Sequence, residues 1–125
     1  MLNIFISFSQ YDGKVIDEIL QLIQFSGNKL WYYKRTYSNK TMDEVLKLIE
    51  SMDIFILFLS KNSEGNEYVR QEILAAKKCM RIKDYLTVIL DSQVDQSSIP
   101  QFTFNHIIYN NSSKEIADDI SKIIF

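Results

Sequence analysis

One of the sixteen acidic residues in this 125-residue chain stands apart by its surroundings. Glu72 lies in the run N-E-Y-V-R-Q-E-I (66–73), where Val69, Ile73, Ala76 and Met80 recur at the spacing of one apolar helix face. At about 100° per residue, Glu72 falls roughly 70° from the centre of that face, at the border of the buried stripe. Its helical neighbours at three and four positions are Tyr68, Val69, Ala75 and Ala76. None is basic, so no ion pair within the helix accounts for the carboxylate. Glu67 differs: it falls on the solvent side and has Arg70 three residues later. Glu72 is therefore either a rim residue or a carboxylate held for catalysis. Ser9 and Asp12 are spaced as an N-cap and N3 pair. The same arrangement, a hydroxyl beside exposed helix amides, also suits phosphate or ribose oxygens. Lys34, Arg35 and Lys40 are either a solvated loop or partners for a pyrophosphate. Trp31, Tyr32 and Tyr33 are either strand packing or a stacking platform, and only alternate residues can face one side.

Composition removes most other chemistries. The single Cys and single His cannot supply the four ligands of a structural zinc site, and no metal is expected. Cys79 follows two lysines but reads as a small buried hydrophobe, and His106 has no acid or nucleophile near it in sequence. Three glycines and one proline leave no G-x-G-x-x-G or phosphate-binding loop. A net charge of −2 argues against a nucleic-acid partner. Chemistry is left to carboxylates, hydroxyls and aromatics.

These residues need a frame, and the hydropathy pattern predicts one. Strand-like runs at Asn3–Phe8, Lys29–Tyr33, Asp53–Ser60, Leu86–Leu90 and His106–Tyr109 alternate with helical periodicity over Asp12–Phe25, Thr41–Ser51, Glu67–Met80 and Ser112–Ile124. Gly27-Asn28 suits a helix C-cap, Thr41 to Glu44 a capping box, and Asp91–Asn105, with Pro100, an irregular stretch. Such alternation predicts an α/β domain over residues 1–125: a flavodoxin-like three-layer sandwich, with a five-stranded parallel sheet in the order 2-1-3-4-5 and helices on both faces. Ligands in this architecture bind beyond the carboxyl ends of the strands where their order reverses, here between the first and third. The loops Ser7–Asp12 and Ser60–Tyr68 meet there, flanked by Tyr33–Lys40. A phospho-receiver of this topology needs an Asp where Ser60 stands, which argues against that class. The longest apolar run, Ile54–Leu59, is far below the ~20 residues of a membrane span. No signal peptide precedes the first strand, and Met1 just before it suggests a natural start. A cytoplasmic protein without membrane association is expected.

Four blocks resemble the Toll/interleukin-1 receptor (TIR) domain family. I-F-I-S-F-S-Q-Y-D (Ile4–Asp12) is similar to its first box, F-I-S-Y-S-x-x-D. K-L-W-Y-Y (Lys29–Tyr33) is similar to the second strand of bacterial members, and S-M-D-I-F-I-L-F-L-S-K-N (Ser51–Asn62) to the third strand with its Leu-Ser ending. N-E-Y-V-R-Q-E-I (Asn66–Ile73) is similar to S-x-W-C-x-x-E-[LI]. The blocks fall in the family's order between residues 4 and 73 of the chain. Departures are the lack of an acidic residue at Tyr33 and of a Gly in the following loop, with Asn66 for Ser and Val69 for Cys.

The resemblance implies the same α/β sheet. In the family's NAD⁺-cleaving branch the glutamate of the last block is catalytic, which carries over to Glu72. The resemblance places Phe8, Ser9, Trp31, Tyr33 and Tyr68 near the substrate, and Arg35 and Ser60 in the loops at the switch point are further candidate contacts. NAD⁺ is then a substrate and no cofactor is expected. The implied partners are further TIR domains and an effector sensing a nucleotide product, in a bacterial anti-phage pathway. A non-catalytic TIR scaffold is the alternative, and a nucleoside 2-deoxyribosyltransferase-like enzyme a third.

Overall fold

Hydrophobic alternation dictates where each strand turns its side chains, and the two faces of the sheet follow from it. The computed structural model describes residues 2–23, 29–31, 42–95, 97, 107–109 and 112–124. In chain order its elements are β1 (Asn3–Ser7), α1 (Gly13–Gln21), β2 (Lys29–Trp31), α2 (Met42–Ile49), β3 (Ile54–Leu59), α3 (Glu67–Lys78), β4 (Asp84–Ile89), β5 (Ile107–Ile108) and α4 (Ser113–Ile124). Three-residue 3-10 turns, Gln10–Asp12 and Lys61–Ser63, precede α1 and α3.

β1, β3 and β4 carry the sheet, and the short β2 and β5 extend its edges in the order β2-β1-β3-β4-β5. Every pairing is parallel, as the strand–helix alternation requires. All six residues of β3 are buried, as befits a strand covered on both faces. Ile4, Ile6, Ile54, Ile56, Phe58, Leu86 and Val88 point to one side and pack with Ile16 and Ile19 of α1 and Ile116 and Ile120 of α4. Phe5, Phe55, Leu57 and Leu59 point to the other, against Val45 and Ile49 of α2 and Val69 and Ala76 of α3. The expected α/β class with a parallel sheet is present.

Several boundaries differ from those predicted, each for a local reason. α1 stops at Gln21 rather than Phe25, because the amides of Leu22 and Ile23 bond the carbonyls of Ile19 and Leu20 in a tighter, three-residue spacing. β4 begins at Asp84, two residues earlier than its apolar run, because Asp84 and Tyr85 pair with Ile54 and Phe55. α3 ends at Lys78, where the Tyr85 hydroxyl donates to the carbonyls of Ala76 (2.8 Å) and Cys79 (3.3 Å). The same half-buried position pushes the Tyr85 hydroxyl pKa up. Gly27-Asn28, Thr41 and Pro100 lie outside the described residues.

Asp53 ties the amino ends of the strands together. Its carboxylate accepts from the Asn3 amide at 2.9 Å and from Arg81 Nε at 3.2 Å. The Asn3 amide first, and then Arg81, hold its carboxyl below the usual aspartate range. A depressed folded pKa gives stability that is present above the unfolded value and lost as pH falls through the folded one. Asp53→Asn should therefore cost about 1 kcal/mol at neutral pH. The difference from wild type in urea unfolding should shrink once the pH is below about 4.

Candidate active site

Parallel strands deliver their last residues to one rim, and Ser7 is the last residue of β1. It lies two positions after Phe5 and so turns to the same side, toward α3. It is completely buried. Glu72 sits five residues into α3, roughly 7–8 Å along the helix axis from its start. The Ser7 Oγ donates a hydrogen bond of 2.7 Å to Glu72 Oε1. Glu72 is 3% exposed, well inside rather than at the border expected from the helical angle. The difference is geometric: the long glutamate side chain reaches from the edge of the apolar stripe inward, to the strand end beneath it. A buried carboxylate that accepts a hydroxyl proton is oriented, and its charge acts through a low dielectric.

Glu67 shows what an ordinary surface carboxylate looks like on the same helix. Arg70 Nε donates to its Oε2 at 3.0 Å and Gln71 Nε2 to its Oε1 at 3.2 Å. These hydrogen bonds, led by that from Arg70, lower its pKa. Asn66 starts the helix by accepting the Val69 amide at 3.1 Å. Gly65, at φ +72°, turns the chain into this cap in a conformation that favours glycine.

The loop after β1 departs from the expected capping pair. Ser9 Oγ accepts from the Tyr11 amide at 3.3 Å, capping the 3-10 turn rather than α1. Asp12 stands at the N-cap position of α1 but makes no side-chain bond to the helix amides. Its carboxylate crosses to the loop after β3 instead. Oδ2 accepts from Ser60 Oγ, and Oδ1 from Asn62 Nδ2 at 2.9 Å. Ser60 and Ser63 then form a reciprocal capping box around the second 3-10 turn.

The candidate contacts divide accordingly. Ser9 is fully buried beside Ser7 in the chain, and Ser60, 2% exposed, is engaged by Asp12 and by the Asn62 amide. The Phe8 side chain packs in the core on the α1 and α4 side, across the sheet from Glu72. Tyr68 is 69% exposed at the start of α3. The Trp31 backbone pairs beside Phe5 in the ladder. Tyr33 and Arg35 lie outside the described residues, as do Tyr32, Lys34, Lys40 and His106. Cys79, half-buried after the last turn of α3, belongs to the opposite end of the sheet, where its thiol points at the carbonyls of Ile49 and Glu50.

Two site residues were missed by sequence reasoning, Ser7 and Asn62. Ser7 had a readable signal: it is the one hydroxyl in N-I-F-I-S-F, and strand alternation sets it on the face opposite Ile4 and Ile6. Asn62 had none, since its use depends on how two distant loops meet. Between α2 and α3 runs a half-open groove of about 480 Å³, lined by Leu46, Glu50, Arg70, Leu74, Lys78 and Cys79 among others. Glu72 is not part of it, because this residue points inward from the same helix. Among the described residues no three His, Cys, Asp or Glu side chains are grouped to hold a metal ion, and no helix is long and apolar enough to cross a membrane.

Comparison with known families adds one match: the model of the TIR domain aligns with residues 4–124. No curated protein sequence matches the chain.

Proposed function

The chain belongs to the TIR domain family, and from that premise we propose that it is an enzyme cleaving the nicotinamide–ribose bond of NAD⁺, with Glu72 as its catalytic residue. The observation that carries this reading is the buried Ser7–Glu72 pair at the carboxyl end of β1. In this proposal the reversal of strand order at β1 makes the neighbourhood of β1 and β3 the substrate position, as in a flavodoxin-like fold.

The chemistry suits a single carboxylate. Nicotinamide leaves as a neutral molecule, taking the bonding electron pair and relieving the pyridinium charge, so no acid is needed to protonate it. What remains is an oxocarbenium-like ribose, a transition state of the kind that glycosidases stabilise with carboxylates. Glu72 holds the ribose hydroxyls and stabilises the positive charge developing at the anomeric carbon. Water then attacks, loses a proton and gives ADP-ribose. Attack by the adenine or a ribose hydroxyl of the same molecule gives a cyclic ADP-ribose variant.

Trp31, Tyr33 and Tyr68 line the substrate in this proposal and Arg35 pairs with its pyrophosphate, while the buried Phe8, Ser9 and Ser60 shape the loops from within. TIR–TIR self-association, and an effector that senses the nucleotide product in cytoplasmic anti-phage signalling, complete it. The test is to incubate concentrated protein with NAD⁺ and separate the products. Nicotinamide with ADP-ribose or a cyclic isomer is expected. No release, even at high concentration with crowding to promote assembly, would overturn the proposal in favour of a scaffold working by homotypic contact.

Ser7 gives a graded check. A hydrogen bond to a charged group is worth about 1.5–3 kcal/mol, so Ser7→Ala should lower kcat at least about tenfold. Ser7→Cys keeps a weak donor of similar size and should recover part of that loss. Equal rates for Ser7→Ala and wild type would remove Ser7 from the site.

A further inference from the structure

Two polar links join the same pair of segments, one on each side of Phe8 and Ser9. The first is Ser7 to Glu72. The second runs from Asp12, 9% exposed, to Ser60 and Asn62. An aspartate at the N-cap position of a helix ordinarily spends its carboxylate on that helix's amides. Asp12 leaves that bond unmade and turns both oxygens across the switch point.

The chain that Asp12 holds leads without slack to Glu72. Ser60 accepts the Asn62 amide at 3.0 Å, and Ser63 Oγ accepts the Ser60 amide at 2.9 Å while donating to the Ser60 carbonyl at 2.8 Å. The Asn66 amide bonds the Ser63 carbonyl at 3.1 Å, and the Asn66 side chain caps α3. Each step fixes the next, so the origin of α3 is set relative to the end of β1.

We propose that Asp12 is a positioning residue for Glu72: by clasping Ser60 and Asn62 it sets the register between α3 and β1 in which the glutamate meets Ser7. The catalytic part of this inference rests on the NAD⁺-cleaving reading. The geometric part does not.

Asp12→Asn removes the negative charge and one acceptor oxygen, so it weakens the clasp on the β3 loop. Asn62→Ala removes one arm of that clasp from an exposed position and leaves the core untouched. Both variants would be studied in the full chain, labelled with ¹³C, by following the Glu72 side-chain carboxyl resonance together with steady-state kinetics on NAD⁺. Both should move the Glu72 signal while leaving that of Glu67 in place. Since misplacement by an ångström can cost on the order of 100-fold, kcat should fall about tenfold or more with KM changed less than about twofold. A clasp that merely adds stability would lower the melting temperature and leave the Glu72 signal and kcat of the folded variants at wild-type values, which would overturn the inference. If Asp12→Asn does not fold, Asn62→Ala decides the matter. If the wild-type chain releases no nicotinamide, the NAD⁺ reading fails, and the carboxyl resonance still decides the role of Asp12.

Discussion

Glu72→Gln should reduce nicotinamide release from NAD⁺ on the order of 10³-fold, equivalent to about 4 kcal/mol of transition-state stabilisation. The substitution is close to isosteric. Glutamine keeps an oxygen that can accept the Ser7 hydroxyl, so the packing of α3 on β1 survives. What is lost is the negative charge, and with it the attraction for a ribose that becomes cationic only as nicotinamide departs. In water that attraction would be small, but Glu72 is buried, where charge acts through a lower effective dielectric. The melting temperature of the variant separates this loss of charge from any loss of fold. Initial rates at saturating NAD⁺, measured beside a thermal melt, check both halves. A folded Glu72→Gln that matches the wild-type rate would remove Glu72 from the mechanism.

The second large effect lies one layer below the site. Phe55 is completely buried, stacks on Phe5 with ring centroids 5.8 Å apart, and meets Tyr85 at 6.5 Å. Phe5 and Phe55 are register partners, and the next residues of the same face are Ser7 and Leu57, themselves partners. Phe55→Ala opens a cavity under that pair and should cost about 3–5 kcal/mol. A domain of this size is held by about 5–15 kcal/mol in total. Urea unfolding should therefore show a lower midpoint with an unchanged slope, and the melting temperature should drop by roughly 10–20 °C. Leu22, 53% exposed, is the control: Leu22→Ala should stay within about 0.5 kcal/mol of wild type. A Phe55→Ala midpoint as close to wild type as that of Leu22→Ala would show that the stack does not support the sheet.

Much of this arrangement is legible in the sequence because it depends on period. Ile4, Phe5 and Ile6 alternate between two cores, and Val69 and Ala76 recur at helical spacing, so strands, helices and the position of the switch point follow from counting. Glu72 was legible as an anomaly, a carboxylate near an apolar stripe with no basic residue three or four positions away in the sequence. Its burial was not, because the angle of a side chain's origin does not say how far it reaches. Asp12 was misread for a related reason. Spacing from Ser9 predicted a local cap, but the carboxylate is used across a separation of about fifty residues, by Ser60 and Asn62. Helix ends follow local hydrogen bonds that hydropathy does not encode, as at Leu22 and Ile23.

The strand order has a consequence in time. β1 is synthesised before the other strands of its sheet, yet it lies inside that sheet, between β2 and β3. Ile4 finds its partner Ile54 only after the intervening chain has left the ribosome. At roughly 5–20 residues per second, that wait lasts several seconds. Throughout it, the nascent chain carries an apolar strand whose β3-facing edge is unpaired, a substrate for chaperones and a template for wrong pairing. Ser7 meets Glu72 later still, so no partly made chain ending before α3 contains the pair. Any activity that depends on it begins only when α3 packs against the end of β1, not with the emergence of either residue.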